Sequence, residues 1–219
     1  MLDNPLLAKG INVIKSEDIR TILMKNIQDK SVLDIGCAGN SSEKKKWPKP
    51  QSWLHSFVAE LSNDCIGIDI DYKELADIKN KIPQLTLVGM SGDAFRFNKK
   101  FDYVIFNWCI NYVNPYKALD CARSCLKKDG KIIIGFTNMS NIFNFKRVFK
   151  KGVPHKEAQA LFVFDPILFV NFIIKEGFEI VDMFWAQRKK YGFIEKLLVK
   201  HNPYFNQYFL CIIKDGQRV

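Results

Sequence analysis

Between residues 31 and 136 the chain alternates short apolar runs with segments whose apolar residues recur at helical spacing. Residues 31–35, "CIGIDI", "LTLVG", "FDYVIFN" and "KIIIGF" read as strands. "WLHSFVAELS", "YKELADIKNKI" and the stretch from Pro115 to Leu126 read as helices between them. That alternation is the signature of a parallel sheet covered by helices. "YVIF" and "IIIG" are continuously apolar, as burial on both faces requires. Asp71 stands as an N-cap before one helix, and Pro115 suits the first turn of another.

The flanks are less regular. Residues 5–28 read as helical from the spacing of Ile19, Ile22, Leu23 and Ile27, with Ser16 as the N-cap. Residues 41–53 are polar, contain two prolines and read as a loop. After an irregular stretch at 137–164, Pro166 opens an apolar helix closed by Gly177. "FEIVDMFW" and "QYFLCIIK" then read as two further strands. At 219 residues the chain is expected to form one domain, 1–219, with a helical segment at 1–29, a core at 30–136 and a covering segment with strands at 137–219.

Composition narrows the setting. No apolar run approaches the roughly 20 residues of a membrane span. The opening "MLDNPLLAKGINVIKSED" lacks the basic-then-apolar order of a signal peptide, so a cytoplasmic location is expected. The six cysteines form no C-x-x-C pair and only three histidines accompany them, so no metal site is expected. Reduced core cysteines are the expectation, with Cys121 and Cys125 on one helix face. The formal charge of +10 favours an anionic partner such as RNA, a nucleotide-linked sugar or an acidic membrane surface. Basic runs stand at 43–49, 145–151 and 187–190, each also readable as a solvated face.

In an open parallel sheet, ligands bind beyond the carboxyl ends of the strands. Those ends supply the turn from Gly36 to Asn40, then Asp69, then Asp93 with Ala94, then Asn107 with Trp108. A carboxylate at Asp69 can accept from both hydroxyls of a ribose. Asp93 can accept from an adenine amino group, and the Ala94 amide can reach a ring nitrogen. A dinucleotide loop would require G-x-G-x-x-G, and the chain offers Gly36, Ala38 and Ser41 instead. Small residues suffice for a cofactor without phosphate.

These segments resemble the class I S-adenosylmethionine-dependent methyltransferases. "VLDIGCAGN" looks like their first motif, "CIGIDI" their second-strand motif and "GDA" their adenine-side motif. "FDYVIFNWCINYV" and "LKKDGKIIIGF" are similar to their fourth- and fifth-strand segments. The resemblance implies a doubly wound, Rossmann-like α/β three-layer sandwich with a mixed seven-stranded sheet, its last strand antiparallel. It implies S-adenosylmethionine as cofactor, S-adenosylhomocysteine as product and no metal. Cofactor-binding residues carried over are Asp34, Gly36, Cys37, Ala38, Gly39, Asp69, Ile70, Asp93, Ala94, Asn107 and Trp108. Asp34 would meet the cofactor's amino group directly or through water.

"SWLHSFVAE" further resembles a bacterial and archaeal subgroup associated with surface-glycan or other small-molecule methylation. The acceptor is therefore expected to be an oxygen or nitrogen of a small molecule or glycan. An N-P-P-Y-type base-methylating motif is absent, since strand four ends in "NWCI". Where the acceptor's proton must leave, His155 and His55 are the candidate bases. His55 is equally readable as a packing residue and His155 as a surface residue. Tyr112 is placed to line the acceptor pocket. "NIFNFKRVFKKG" reads as a helix with Ile142, Phe143, Phe145, Val148 and Phe149 on one face, either packed as a lid or touching a membrane. RNA methylation, a non-catalytic S-adenosylmethionine-binding partner and an NAD-dependent reductase stay open as alternatives.

Overall fold

A computed structural model describes residues 11, 13–16, 18–39, 53–151, 160–186, 204 and 206–216. Among the described residues there are eight strands: β1 (Val13–Ser16), β2 (Ser31–Ile35), β3 (Asp64–Asp69), β4 (Thr86–Gly89), β5 (Phe101–Asn107), β6 (Leu126–Thr137), β7 (Phe178–Ala186) and β8 (Tyr208–Asp215). The described residues also form six α-helices: α1 (Ile19–Ile27), α2 (Leu54–Leu61), α3 (Tyr72–Lys81), α4 (Pro115–Cys125), α5 (Ile142–Lys151) and α6 (Pro166–Lys175).

All eight strands form one sheet in the order β1-β7-β8-β6-β5-β2-β3-β4. β8 alone runs antiparallel to its neighbours β6 and β7. The seven expected strands and the reversed last one are all there. β1 is an eighth strand, pairing parallel to β7 from Val13 opposite Met183 to Ser16 opposite Ala186. Helix 5–28 is corrected accordingly: residues 13–16 are extended and the helix begins at Ile19. Its cap is Asp18, not Ser16, and the Asp18 carboxylate accepts the Arg20 N–H at 3.1 Å. Four residues are too few for local periodicity to decide, and pairing with β7 decides instead.

Strict alternation along the central strands builds the layers. Val104 and Phe106 of β5, Ile132, Ile134 and Phe136 of β6, and Phe209, Cys211 and Ile213 of β8 share one buried cluster with Leu119 of α4 and Phe169 of α6. The residues between them, Tyr103, Ile105, Ile133, Leu210 and Ile212, join Ile22, Leu23 and Ile27 of α1 and Val58 of α2 in another. Helices on both faces of the sheet make the three-layer sandwich. Phe136 stacks on Phe169 with ring centroids 4.1 Å apart. Burying a side chain of that kind contributes about 1.5–3 kcal/mol.

Helix starts follow local chemistry. The Asn114 side chain accepts from the Tyr116 and Lys117 amides, with Pro115 as the first helical residue of α4. Asp165 does the same for Ile167 and Leu168 at the start of α6, again followed by proline. The Asp71 carboxylate accepts the Glu74 N–H at 3.0 Å and caps α3. Every one of these caps sits on the side of the sheet where the strands end.

Candidate active site

β2, β3, β4 and β5 lie side by side and parallel, so their carboxyl ends share one edge of the sheet. The turn after β2 opens with Gly36 at φ +76°, a conformation that favours glycine. A Cβ at Gly36 would also lie 2.8 Å from Cys109 Cβ. The amides of Gly36 and Cys37 both donate to the Ile68 carbonyl, at 2.8 and 3.1 Å. Gly39, at φ +72°, donates to the Gly36 carbonyl and closes the turn. Cys37 and Ala38 are buried against Leu75 and Ile78 of α3.

Asp69 closes the loop from the neighbouring strand. Its Oδ2 accepts the Ala38 N–H and its Oδ1 the Asp71 N–H, each at 3.0 Å. Burial pushes its carboxyl above the usual range, and these backbone donors only partly offset that. Each oxygen keeps further acceptor capacity for a ligand hydroxyl. Ile70, next in the chain, is exposed.

Asp34 and His55 form a buried pair. His55 Nδ1 lies 2.7 Å from Asp34 Oδ2, and the two side chains are 1% and 3% exposed. Trp53, just before α2, donates its indole N–H to the Cys37 carbonyl at 2.9 Å. Its ring lies 5.1 Å from the imidazole. The "WLH" segment therefore grips both the end of β2 and the turn beyond it. The sequence reading of His55 as a base does not fit this position, because a sealed imidazole held by a carboxylate has no open approach to an acceptor.

Asp93 is occupied by its own surroundings. Ser91 Oγ donates to Oδ1 at 2.6 Å and the Asn114 N–H donates to Oδ2 at 2.9 Å. The Ser91 hydroxyl, then the Asn114 amide, hold its carboxyl below the usual range. The Ala94 N–H donates to the Ser91 carbonyl at 3.2 Å. Beside these two residues, Arg96, Lys117, Asp120 and Cys121 line a recess of about 500 Å³. A cavity of about 550 Å³, lined by Ser56, Asp64, Cys65 and Thr86 among others, opens at the amino ends of β3 and β4 and contains none of the expected site residues.

At the end of β5, Trp108 takes φ +56°, an uncommon conformation for a non-glycine residue and one that recurs at functional turns. Its ring meets Tyr208 edge-on at 5.7 Å. Among the described residues, Asp34 Oδ1, Asn107 Oδ1, Trp108 Nε1 and Asn111 Oδ1 are buried without a hydrogen-bond partner. All four belong to the last residues of β2 and β5 or the turn after β5. Unpaired buried polar atoms are costly, and four of the five among the described residues gather at one sheet edge. Fifth on that count is Arg147 Nε, on α5.

Asn111 and Asn138 are site-edge residues that sequence reading missed. Asn111 Nδ2 donates to the Phe162 carbonyl at 2.9 Å, and its own carbonyl accepts the Leu161 and Phe162 amides. Asn138, fully buried after β6, donates to the Asn206 carbonyl at 2.8 Å and also to Tyr204. Together they fasten the segments after β6 and before β8 to the sheet edge. An asparagine following a strand was the available signal, but its partners lie more than 50 residues away. Tyr112 is exposed. In α5, Ile142 and Phe143 pack on the core while Phe145, Val148 and Phe149 are exposed, so the expected apolar face is split. His155, Asn40, His201 and the basic runs 43–49 and 187–190 lie outside the described residues. No cluster of metal-ligating side chains occurs among the described residues.

Known proteins share this architecture. The sequence profile of a family described as "Methyltransferase domain" matches residues 50–134. An uncharacterised protein of Methanocaldococcus jannaschii is 29% identical over 106 residues, 47% of this chain and 51% of the relative. The match thus spans about half the length of that curated relative. An S-adenosylmethionine-dependent methyltransferase from Clostridium acetobutylicum superposes with a TM-score of 0.58 at 12% identity, covering 90% of this chain and 89% of that one. The 1,6-didemethyltoxoflavin-N1-methyltransferase of Burkholderia thailandensis, solved with its substrate and S-adenosylhomocysteine, superposes with a TM-score of 0.56 at 14% identity, covering 90% and 76%.

Proposed function

We propose that this chain is a class I S-adenosylmethionine-dependent methyltransferase that transfers the cofactor's methyl group to an oxygen or nitrogen of a small molecule or glycan, a reading supported by the methyltransferase-domain match over residues 50–134 and by the shared fold. The observation that carries the reading is the cluster of unpartnered buried polar atoms at the ends of β2 and β5, beside a ribose-competent carboxylate on β3. That donor and acceptor set suits a nucleoside with an amino-acid end.

Bound S-adenosylmethionine supplies an already activated methyl group, so the protein's task is chiefly in-line positioning. Asp69 would accept from the ribose hydroxyls with the lone pairs its amide contacts leave free. Asp34 Oδ1 would accept from the ammonium group. Asp93 and Ala94 would border the adenine, beside the recess next to α4. Gly36, Cys37, Ala38 and Gly39 would shape the turn past the amino-acid end, and Ile70, Asn107 and Trp108 would wall the cofactor. His155 is proposed as the base where the acceptor must lose a proton. The small-molecule reading draws on the Burkholderia neighbour, which by its name methylates a small heterocycle.

Two measurements test this. S-adenosylhomocysteine at about 100 times its dissociation constant should stabilise the protein by roughly 2.7 kcal/mol, while NADH should not. A response to NADH alone overturns the cofactor. Incubation with methyl-labelled S-adenosylmethionine and fractionated extract should then place label in a small-molecule or glycan fraction. Label confined to RNA overturns the acceptor class, and label in no fraction overturns catalysis.

A further inference from the structure

The buried His55–Asp34 pair goes beyond what the cofactor reading needs. Asp34, next to last in β2, has one carboxylate oxygen engaged and the other buried and unpartnered among the described residues. A carboxylate is an acceptor, so the imidazole N–H at Nδ1 donates to Oδ2. The opposite edge of that ring is fitted with equal care. Gly67, on the adjacent strand, lacks the Cβ that would otherwise fall 2.6 Å from His55 Cε1 and 2.8 Å from Nε2. Trp53 lies against the ring from the start of α2 and ties down the turn through the Cys37 carbonyl. Indole and glycine thus enclose the imidazole, and the imidazole holds one oxygen of the Asp34 carboxylate.

We propose that His55 is a positioning residue: it holds Asp34 through Oδ2 so that Oδ1 stays presented to the ammonium group of the cofactor. This rests on the cofactor reading above. A carboxylate free to turn would satisfy both oxygens locally or draw in water, and the ammonium would then have to displace those partners. Held by His55, the unpaired oxygen carries its desolvation cost before the ligand arrives, and binding relieves it. The role therefore concerns the amino-acid end of the ligand and not its nucleoside.

Calorimetric titration of the full chain with two ligands separates the ends. S-adenosylhomocysteine carries the ammonium; 5′-methylthioadenosine has a similar thionucleoside without the amino-acid end. Wild type should bind S-adenosylhomocysteine more tightly. His55→Ala should weaken S-adenosylhomocysteine roughly tenfold or more while changing 5′-methylthioadenosine less than about twofold. His55→Asn, whose side-chain amide can replace the Nδ1 donor, should recover most of the loss. His55→Leu fills the space without a donor and should repeat the alanine result, which keeps the test readable if the cavity unfolds His55→Ala. Equal weakening of both ligands, or an unchanged S-adenosylhomocysteine affinity, overturns the positioning role. A wild type that binds neither ligand overturns the cofactor reading itself, a different failure from loss of selectivity in the variants.

Discussion

The Asp69 carboxylate accepts the backbone N–H of Ala38 at 3.0 Å, tying the end of β3 to the turn that follows β2. One side chain thus shapes the turn, and the same carboxylate is the one proposed to accept from the ribose. Burial raises the pKa of this carboxyl, and the two amides it accepts from work in the opposite direction.

Asp69→Ala removes the acceptor for two backbone amides. It should cost about 1–3 kcal/mol in urea unfolding. The thermal response to S-adenosylhomocysteine should vanish with it. A variant that keeps the full response shows that Asp69 only shapes the turn.

Gly67→Ala should destabilise by about 1–3 kcal/mol, because its Cβ would collide with the His55 ring and with Cys37 Sγ at 2.8 Å. The same substitution in a His55→Ala background should cost less, since half of the collision is gone. Strictly additive losses in a double-mutant cycle would show that the two sites do not press on each other.

Asp102 joins the starts of β2 and β5. It accepts the Ser31 N–H at 2.9 Å, the Ser31 hydroxyl at 2.7 Å and Lys127 Nζ at 2.8 Å. Burial works to raise its carboxyl, but Lys127 and Ser31 outweigh it and bring the value down to about 2. A folded value below the unfolded one of about 3.9 means that this group favours folding fully above that pH. The contribution is lost as pH falls from there toward about 2. Plotted against pH, the urea midpoints of wild type and Asp102→Asn should differ at neutrality and converge through that acid window. A gap that stays constant contradicts the assignment.

Burial pushes the thiols of Cys37 and Cys211 well above their ordinary range, with Asp34 adding to the effect at Cys37. The thiolate is the reactive form. Native protein at pH 8 should therefore alkylate slowly at both positions, and mild urea should release them together with the unfolding transition. Rapid native-state labelling of Cys37 would mean that the turn opens far more readily than its hydrogen bonds suggest.

Much of this protein was legible along the chain, because period and punctuation are local. Continuous apolar runs marked the central strands, and Asp71, Pro115 and Pro166 marked helix starts that the structure keeps. The segments just beyond strand ends are also local, so Asp69, Asp93 and Asn107 could be named before their neighbours were known, whereas Asp34 was reached through the family resemblance. The β1 strand could not, since its state depends on β7, about 170 residues away in the chain.

Roles within the site needed tertiary structure for the same reason. Asp93 looked free to meet adenine, yet the folded chain supplies it with Ser91 and Asn114. His55 looked like a base, and is instead sealed against Gly67 with its Nδ1 on Asp34. Local pattern along the chain was enough for seven of the eight described strands and for the polar groups that follow them. Which of those groups spend their hydrogen bonds on one another, and which stay unpaired, depends on side chains brought together from different strands and helices, and so emerges only in the folded chain.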